Sequence, residues 1–453
     1  MSRNMRARGI DSASGDTISR KYYYQGRDVK RFLTDYLDED GPGLAALVIL
    51  NNEVVLRLAH GQARLDEKKE KITADTVFDL GSLSKHFTAL GILMLIDQTT
   101  IGRRYKKLEF DTTLRSIFTY LPAWAEKTKI RDLLNHSSGI PEYDVLKLGK
   151  RECELVMFYN GLSQIRGNWY KKMPGYPGVP DKTKYVTNKD ALDLLAAATE
   201  AGEPGKEFAY SNTGYMVLAE VIREFTGKSL RDFLQEEVFT PLKMYDTFVY
   251  DDTVEEFKKH ALCYRIKNPP CQPDHEPIEC DTVFNYIHGD GNIHSTINDM
   301  EKWIKAWNHI DDPKKPDPDS NAPARKKRDK LIKMSTFLKI YSTGETLTRP
   351  KYWGVRRGYD DGSGMQLYHY NNRNVNSYAI HHGGNWLGFN SYLMRGNVHI
   401  PKLNETHETT VLVLANYHSE PGQIVFPYEI GKRIAARYWP VKGKDRYNVL
   451  DYI

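Results

Sequence analysis

Cysteine is scarce in this chain, with four in 453 residues, too few to build a disulfide scaffold. Cys271 and Cys280 flank a polar, proline-containing loop and are compatible with pairing, while Cys153 and Cys263 stand apart. The pattern fits free thiols in a reducing compartment better than a bridged framework. Long apolar runs are missing as well. The most apolar helical stretch, Ala89 to Ile96, falls well short of the roughly 20 residues that cross a bilayer. Met1 to Thr17 is basic and polar and lacks the apolar core of a leader peptide. Together these absences lead to the expectation of a cytoplasmic protein with no membrane partner. Charge of one sign is also lacking, since 64 basic and 59 acidic residues leave a net +5. No basic stripe interleaved with aromatics is present, so nucleic acid is not an expected partner. No repeat is visible, and nothing in the pattern speaks to oligomeric state.

What the chain does have is a hydrophobic content of 40% with 29 tyrosines and 7 tryptophans, enough for a sizeable core and aromatic-lined surfaces. Residues 1–26 read as a flexible tail. Asp28 to Leu37 has helical apolar spacing. Leu44 to Leu50 and Val54 to Leu58 are β-like runs joined by Asn51-Asn52-Glu53, which is hairpin chemistry. Lys68 to Lys71 is a charged loop, and Phe78 then leads into an apolar helix. Helical patterns dominate from about Leu108 to Trp307. Gly167 to Lys184 is a long Pro-, Gly- and aromatic-rich loop with the character of a pocket wall or lid. Asp311 to Lys330 is rich in proline and charge with little to bury, which predicts a mobile insertion. β-like runs return at Ser377 to Ile380, Asn390 to Met394 and Thr409 to Leu414, and an amphipathic helix, Val425 to Tyr438, closes the chain. The predicted fold class is α/β (α+β): an antiparallel sheet built from both ends of the chain (about 27–80 and 331–440), flanked by helices, with an inserted mainly helical lobe (about 81–307). A mobile insertion at 308–330 and a tail at 441–453 complete the organisation.

Three stretches carry chemistry. In Asp79-Leu80-Gly81-Ser82-Leu83-Ser84-Lys85, a glycine turn opens a helix, and Ser82 and Lys85 share a face three residues apart. A serine there meets the electropositive helix end, which suits a nucleophile. Taken alone, the pair equally fits a helix cap with a lysine reaching solvent. In Glu203 to Tyr215, a Pro-Gly turn and an extended piece put Tyr210 and Asn212 on one side before a helix near Thr213. The plain alternatives are an interfacial tyrosine and a helix-capping asparagine. Tyr370-Asn371-Asn372 repeats the Tyr-x-Asn pattern without the turn or the helix and reads as a decoy. In Tyr378 to Asn390, a strand runs into His381-His382-Gly383-Gly384-Asn385, where glycines let backbone N–H groups approach a ligand. A bulge or tight strand end explains that stretch equally well. The paired histidines lack a carboxylate or cysteine at ligand spacing, so no metal is expected.

Together, Ser82-x-x-Lys85, Tyr210-x-Asn212 and His382-Gly383-Gly384 occur in the order that resembles the serine β-lactamase-like and penicillin-binding-protein superfamily. The resemblance is to its class C β-lactamase, D-aminopeptidase, esterase and fungal acyltransferase branches. Leu133 to Tyr143, Thr240 to Met244 and Gly291 to Thr296 resemble further family segments, and the match extends over about residues 27–440.

The resemblance implies a β-lactamase/transpeptidase-like fold and acyl transfer through a covalent intermediate. Ser82 would be the nucleophile, and Lys85 and Tyr210 would share the proton transfers, with either as acylation base. Cationic surroundings would stabilise the Tyr210 phenolate. Asn212 would orient Lys85 or bind substrate, and the N–H groups of Ser82 and Asn385 would form the oxyanion hole beside Gly383 and Gly384. No metal or organic cofactor is implied. His382 stands where β-lactamases and penicillin-binding proteins usually carry a lysine that recognises a substrate carboxylate. That departure steers the expectation from β-lactams towards a small ester, lactone or amide. A D-amino-acid peptidase or amidase, a true β-lactamase and a non-catalytic scaffold of the same fold are the alternatives.

Overall fold

The computed structural model describes residues 8–10, 16–98, 100–143, 187–198, 201–251, 259–266, 275–278, 286–308, 359–361, 368–372, 377–400, 405–419 and 426–438. Its strands, in chain order, are β1 (Arg8–Ile10), β2 (Thr17–Ser19), β3 (Leu44–Leu50), β4 (Glu53–His60), β5 (Phe78–Asp79), β6 (Phe248–Val249), β7 (Cys263–Ile266) and β8 (His275–Ile278). They continue with β9 (Ile293–Ser295), β10 (Tyr359–Asp361), β11 (Tyr368–Asn372), β12 (Ser377–Trp386), β13 (Phe389–Ile400), β14 (Glu405–Ala415) and β15 (Tyr417–His418). The main helices are α1 (Tyr23–Tyr36), α2 (Ser84–Asp97), α3 (Asn212–Thr226), α4 (Ile297–Asn308) and α5 (Pro427–Tyr438).

Strand β3 explains the layering. Its sequence is an unbroken apolar run and every residue of it is buried, as expected of a strand covered on both faces. Because side chains alternate, Leu44, Ala46, Val48 and Leu50 enter one core with Val29 and Leu33 of α1 and Ile430 and Ile434 of α5. Ala45, Leu47 and Ile49 enter another with Phe87, Leu90 and Leu93 of α2. Each such side chain contributes about 1.5–3 kcal/mol through burial. The antiparallel main sheet runs β1-β2-β4-β3-β14-β13-β12-β11-β10 and so draws its strands from both ends of the chain. Helix α2 is buried from Ser84 to Ile96 on all sides, the mark of a core helix rather than a surface one.

Two small sheets hold the segments that lead to the crevice between sheet and helices. In one, β9 lies between β5 and β6; in the other, β7 lies between β15 and β8. Strands β6, β7, β8 and β9 fall within the stretch expected to be mainly helical. They were hidden because two to four residues are too short to show a period. The stretch expected as a tail also differs. Thr17 and Ile18 pair with β4, and α1 begins at Tyr23 rather than Asp28. Ile18 lies directly against Gly26, where an added Cβ would sit 2.5 Å from its Cγ2, and Asp16 Oδ1 accepts the Ala59 N–H at 2.9 Å.

Cys263, expected to be a free thiol, is disulfide-bonded, and each of the other cysteines lies outside the described residues. It opens β7, whose antiparallel pairing with β8 was not visible in the residue pattern. The bond removes the thiol-based reason for expecting a reducing compartment. Among the described residues no helix is long and apolar enough to cross a membrane. The aromatic loop Gly167 to Lys184, the insertion at 309–330 and the segment 441–453 lie outside the described residues.

A buried amide joins these parts. Asn416, fully buried, accepts the Gly43 N–H at 2.8 Å and donates to the carbonyls of Gln62 at 3.0 Å and Leu262 at 2.9 Å. Asn416→Ala leaves all three groups unmatched, at about 1–3 kcal/mol each before relaxation. The expected loss of unfolding free energy is about 2–4 kcal/mol, read from urea titration. An unchanged midpoint would mean that the amide is dispensable.

Candidate active site

The site is built where α2 begins. Strand β5 delivers the chain to Gly81, whose φ of +53° is left-handed and therefore suits glycine. Gly81 N–H is held by Asp79 Oδ1 at 2.7 Å. Ser82 follows in a single 3₁₀ turn, Gly81–Leu83, and α2 proper starts at Ser84. Ser82 is half-buried, whereas Lys85, one turn on, is completely buried. A solvent-reaching lysine is thereby excluded.

Lys85 Nζ donates to Asp290 O at 2.7 Å, to Asn212 Oδ1 at 2.8 Å and to Ser82 Oγ at 3.2 Å. An ammonium has three donors and no acceptor, so all three are used. Two face acceptors that cannot give up a proton to it, a backbone carbonyl and an amide oxygen. When the amine is neutral, its lone pair therefore points along the longest of the three bonds, towards the Ser82 hydroxyl. Burial drives the Lys85 pKa down from 10.5 to about 8, against the opposing charges of Asp290 and Glu142.

The Tyr210 hydroxyl lies near enough to Ser82 for that side chain to oppose the rise of its pKa. The Tyr210 ring lies 4.9 Å from Lys85 Nζ and 36% of the residue remains open to the crevice. The tyrosine is clamped by His136, a buried residue at φ +54°. The His136 carbonyl accepts the Ala209 N–H at 2.7 Å, and its Nδ1 accepts the Ser211 N–H at 2.9 Å. The His136 ring lies 4.4 Å from that of Tyr210. Burial pushes the phenol pKa up, and the carboxylates of Asp290 and Glu142 push it further. This corrects the expectation that cationic surroundings would stabilise a phenolate.

Asn212 is the first residue of α3. The cap is Ser211, whose Oγ accepts the Gly214 N–H at 2.9 Å, so the Asn212 side chain binds Lys85 rather than capping the helix. Glu142 Oε2 accepts the N–H groups of Asn212 at 2.9 Å and Thr213 at 3.2 Å, a carboxylate on a helix N-terminus.

The third stretch forms the opposite wall. Strand β11 ends opposite His381, and beyond it β12 runs against Gly81–Leu83. A Cβ on Gly384 would overlap the Leu80 carbonyl and Ser391 Oγ, and one on Gly81 would come within 2.8 Å of Asn385 N. Ser391 Oγ in turn donates to Leu80 O at 2.7 Å. Both glycines are thus required by backbone contact, and the Asn385 and Ser82 backbones lie side by side. Gly383 is exposed on the strand. His382 is buried, with Nδ1 2.6 Å from Gly383 O. A carbonyl only accepts, so Nδ1 carries the proton and Nε2 is a bare acceptor. Burial first, then His86 and Lys85, push the His382 pKa well below its ordinary value, so the ring is neutral.

The structure therefore brings Ser82, Lys85 and Asn212 into one hydrogen-bonded cluster, with the Tyr210 ring over the Lys85 amine and β12 from His382 to Asn385 beside it. Tyr370 lies on β11, on another element from Tyr210. Sequence reading passed over Glu142, Tyr143, His136 and Asp290. Tyr143 OH donates to Asp290 Oδ2 at 2.8 Å, and all four lie in or beside the Leu133–Tyr143 and Gly291–Thr296 segments that had been singled out. Among the described residues no group of three or more His, Cys, Asp or Glu is placed to hold a metal ion.

Comparison with known proteins bears on the family and the fold. The chain is 24% identical over 400 residues to penicillin-binding protein 4* of Bacillus subtilis, covering 84% of this chain and 72% of that one. It is 28% identical over 272 residues to the D-aminopeptidase of Brucella ovis, covering 58% of this chain but only 42% of the relative's length. Among solved structures, the D-amino acid amidase of Ochrobactrum anthropi SV3 superposes with a TM-score of 0.62 at 20% identity, covering 91% and 98% of the two chains. The fold is shared with these proteins. The family model for beta-lactamase matches residues 29–426, and the chain belongs to the β-lactamase family.

Proposed function

We propose that this protein is a serine hydrolase or acyltransferase that forms a covalent acyl-enzyme at Ser82 on a small ester, lactone or amide. The observation that supports it most is the Lys85 amine, buried, with two of its protons engaged by Asn212 and Asp290 and the third position aimed at Ser82 Oγ. Lys85 in its neutral form takes the Ser82 proton as Oγ attacks the carbonyl carbon. The C–O or C–N bond to the leaving group then breaks; Tyr210 donates its hydroxyl proton to the departing atom and takes back a proton from the Lys85 ammonium, which restores the neutral amine. Lys85 is favoured over Tyr210 as the acylation base because burial lowers the amine pKa and raises the phenol pKa. The N–H groups of Ser82 and Asn385 would hold the developing oxyanion, each contributing about 3–4 kcal/mol. Water or an alcohol or amine then resolves the ester.

His382 offers a neutral acceptor where the resemblance places a lysine, which disfavours substrates recognised through a carboxylate. A D-amino-acid peptidase or amidase is a second reading, supported by the Brucella and Ochrobactrum relatives. The absence of a suitable helix among the described residues is compatible with action on freely diffusing substrates. The Cys263 disulfide favours an oxidising compartment over the cytoplasm.

Ser82→Ala should abolish labelling by a fluorophosphonate and acyl adducts on intact-mass analysis. Adducts that persist in the alanine variant exclude Ser82 as the nucleophile, and a wild-type chain that never labels favours the non-catalytic scaffold. The acylation rate should rise about tenfold per pH unit up to about pH 8 and level off above it, since only neutral Lys85 accepts the proton. Lys85→Met should remove that limb together with at least about a thousandfold of the rate. His382→Lys should improve kcat/KM for carboxylate-bearing esters relative to their neutral analogues by about tenfold, measured on matched pairs. An unchanged ratio would remove His382 from substrate selection.

A further inference from the structure

Behind the Ser82 turn, on the side away from Lys85, lies a buried set of polar groups that the acyl-transfer scheme does not use. Asp79 ends β5 directly opposite His294 of β9. Asp79 Oδ1 accepts the Gly81 N–H at 2.7 Å, and Oδ2 lies 3.6 Å from His294 Nε2. His294 Nδ1 lies 3.0 Å from His260 Nε2. Burial pushes the His260 pKa down to about 4, and the His294 pKa falls well below its ordinary value. Both rings are therefore neutral and each carries one proton. Between two neutral rings one nitrogen donates and the other accepts, so His260 and His294 are joined by a single hydrogen bond, and His294 Nε2 faces the Asp79 carboxyl, which holds Gly81.

The two ends of this chain reach the two strands of peptide that would supply oxyanion donors. At one end, Gly81 immediately precedes Ser82 and sits at φ +53° against Asn385 N. At the other, the His260 ring packs edge-on against Phe389 at 5.9 Å. Phe389 pairs with Trp386 across the hairpin that carries Asn385. His294 is fixed between them by stacking on Phe248, with ring centroids 5.5 Å apart and planes at 14°.

We infer that Asp79, His294 and His260 form a positioning chain that fixes the Ser82 and Asn385 backbones relative to each other and keeps both N–H groups aimed at the oxygen where negative charge develops. The inference rests on the acyl-enzyme reading given above. These residues touch no substrate and move no proton in the reaction. They act through the two backbone segments, so their loss should weaken transition-state binding more than ground-state binding. Losing an oxyanion donor outright costs about a hundred- to a thousandfold in kcat, so a donor left in place but misaligned should cost less.

The test uses the full chain and the ester that it turns over fastest, with a boronic acid that forms a tetrahedral anion on Ser82. Asp79→Ala should lower kcat about ten- to a hundredfold, with KM within about threefold of wild type. Boronate affinity should fall in parallel with kcat. Asp79→Asn should recover most of the loss, since its amide oxygen still accepts the Gly81 N–H and a joint tautomer change of His294 and His260 presents an acceptor to its amino group while keeping the ring–ring hydrogen bond. His294→Phe should fall between the two, and it carries the test if Asp79→Ala does not fold. Wild-type kcat in Asp79→Ala or His294→Phe, or a fall in kcat without loss of boronate affinity, overturns the positioning chain alone. A wild-type chain that forms no acyl adduct by intact mass overturns the acyl-enzyme reading and this inference with it.

Discussion

The site depends on one amine kept out of water. Moving an ammonium into a protein interior costs several kcal/mol even after relaxation, and Lys85 is completely buried. Its three acceptors come from three distant pieces of chain: the turn at Ser82, the start of α3 at Asn212 and the loop before β9 at Asp290. None of these pieces satisfies the amine alone. A fold that leaves any one of them out strands a buried charge, so the same bonds that prepare the site also select the arrangement of the helices around it. The acceptors are also unequal. The two short bonds go to oxygens that cannot exchange a proton, and the long one goes to the hydroxyl that can.

The carboxylates around this centre divide their work. Glu142 neutralises the exposed end of α3 and so fixes where Asn212 begins. Asp290 presents its carbonyl to Lys85 while its side chain is held by Tyr143. Both carboxylates work against burial at Lys85 and with burial at Tyr210. The outcome separates two groups in contact with each other, leaving an amine that can lose its proton near neutrality and a phenol that holds its own more tightly. Such separation is what assigns acid and base roles in a shared site.

The parts of this arrangement that were legible in the sequence are those with a short-range signature. Ser82 and Lys85 share a helix face, Tyr210 and Asn212 follow a Pro-Gly turn, and Gly383-Gly384 follows a β-like run, so each could be placed from its neighbours. The run Leu44 to Leu50 was legible as a strand for the same reason. Asp290 and His136 were not legible, because their roles come from contacts about 205 and 75 residues away. Asn416 was equally silent, since a single asparagine between two strands carries no pattern. The N-terminal strand β2 was missed because three residues have no period, and what orders them is Ile18 meeting Gly26 and Asp16 meeting β4. The state of Cys263 was missed because spacing in sequence does not show which cysteines a fold brings within reach.

The polar character of the crevice follows from these contacts. His86, His136 and His382 are all buried, and burial lowers the pKa of each; the Lys85 charge lowers them further. None of the three carries charge near neutrality, and among the described residues at the centre of the site the cation is Lys85, whose donors are already occupied. Ring tautomers are fixed by the backbone: Gly383 O makes His382 Nδ1 a donor, and the Ser211 N–H makes His136 Nδ1 an acceptor. Among the described residues, His86 Nε2, His136 Nε2, His382 Nε2 and Asp290 Oδ1 are buried and unmatched. Recognition through neutral imidazoles would discriminate by hydrogen-bond pattern and shape. A substrate whose free anion needs a fixed cation would be desolvated there without compensation.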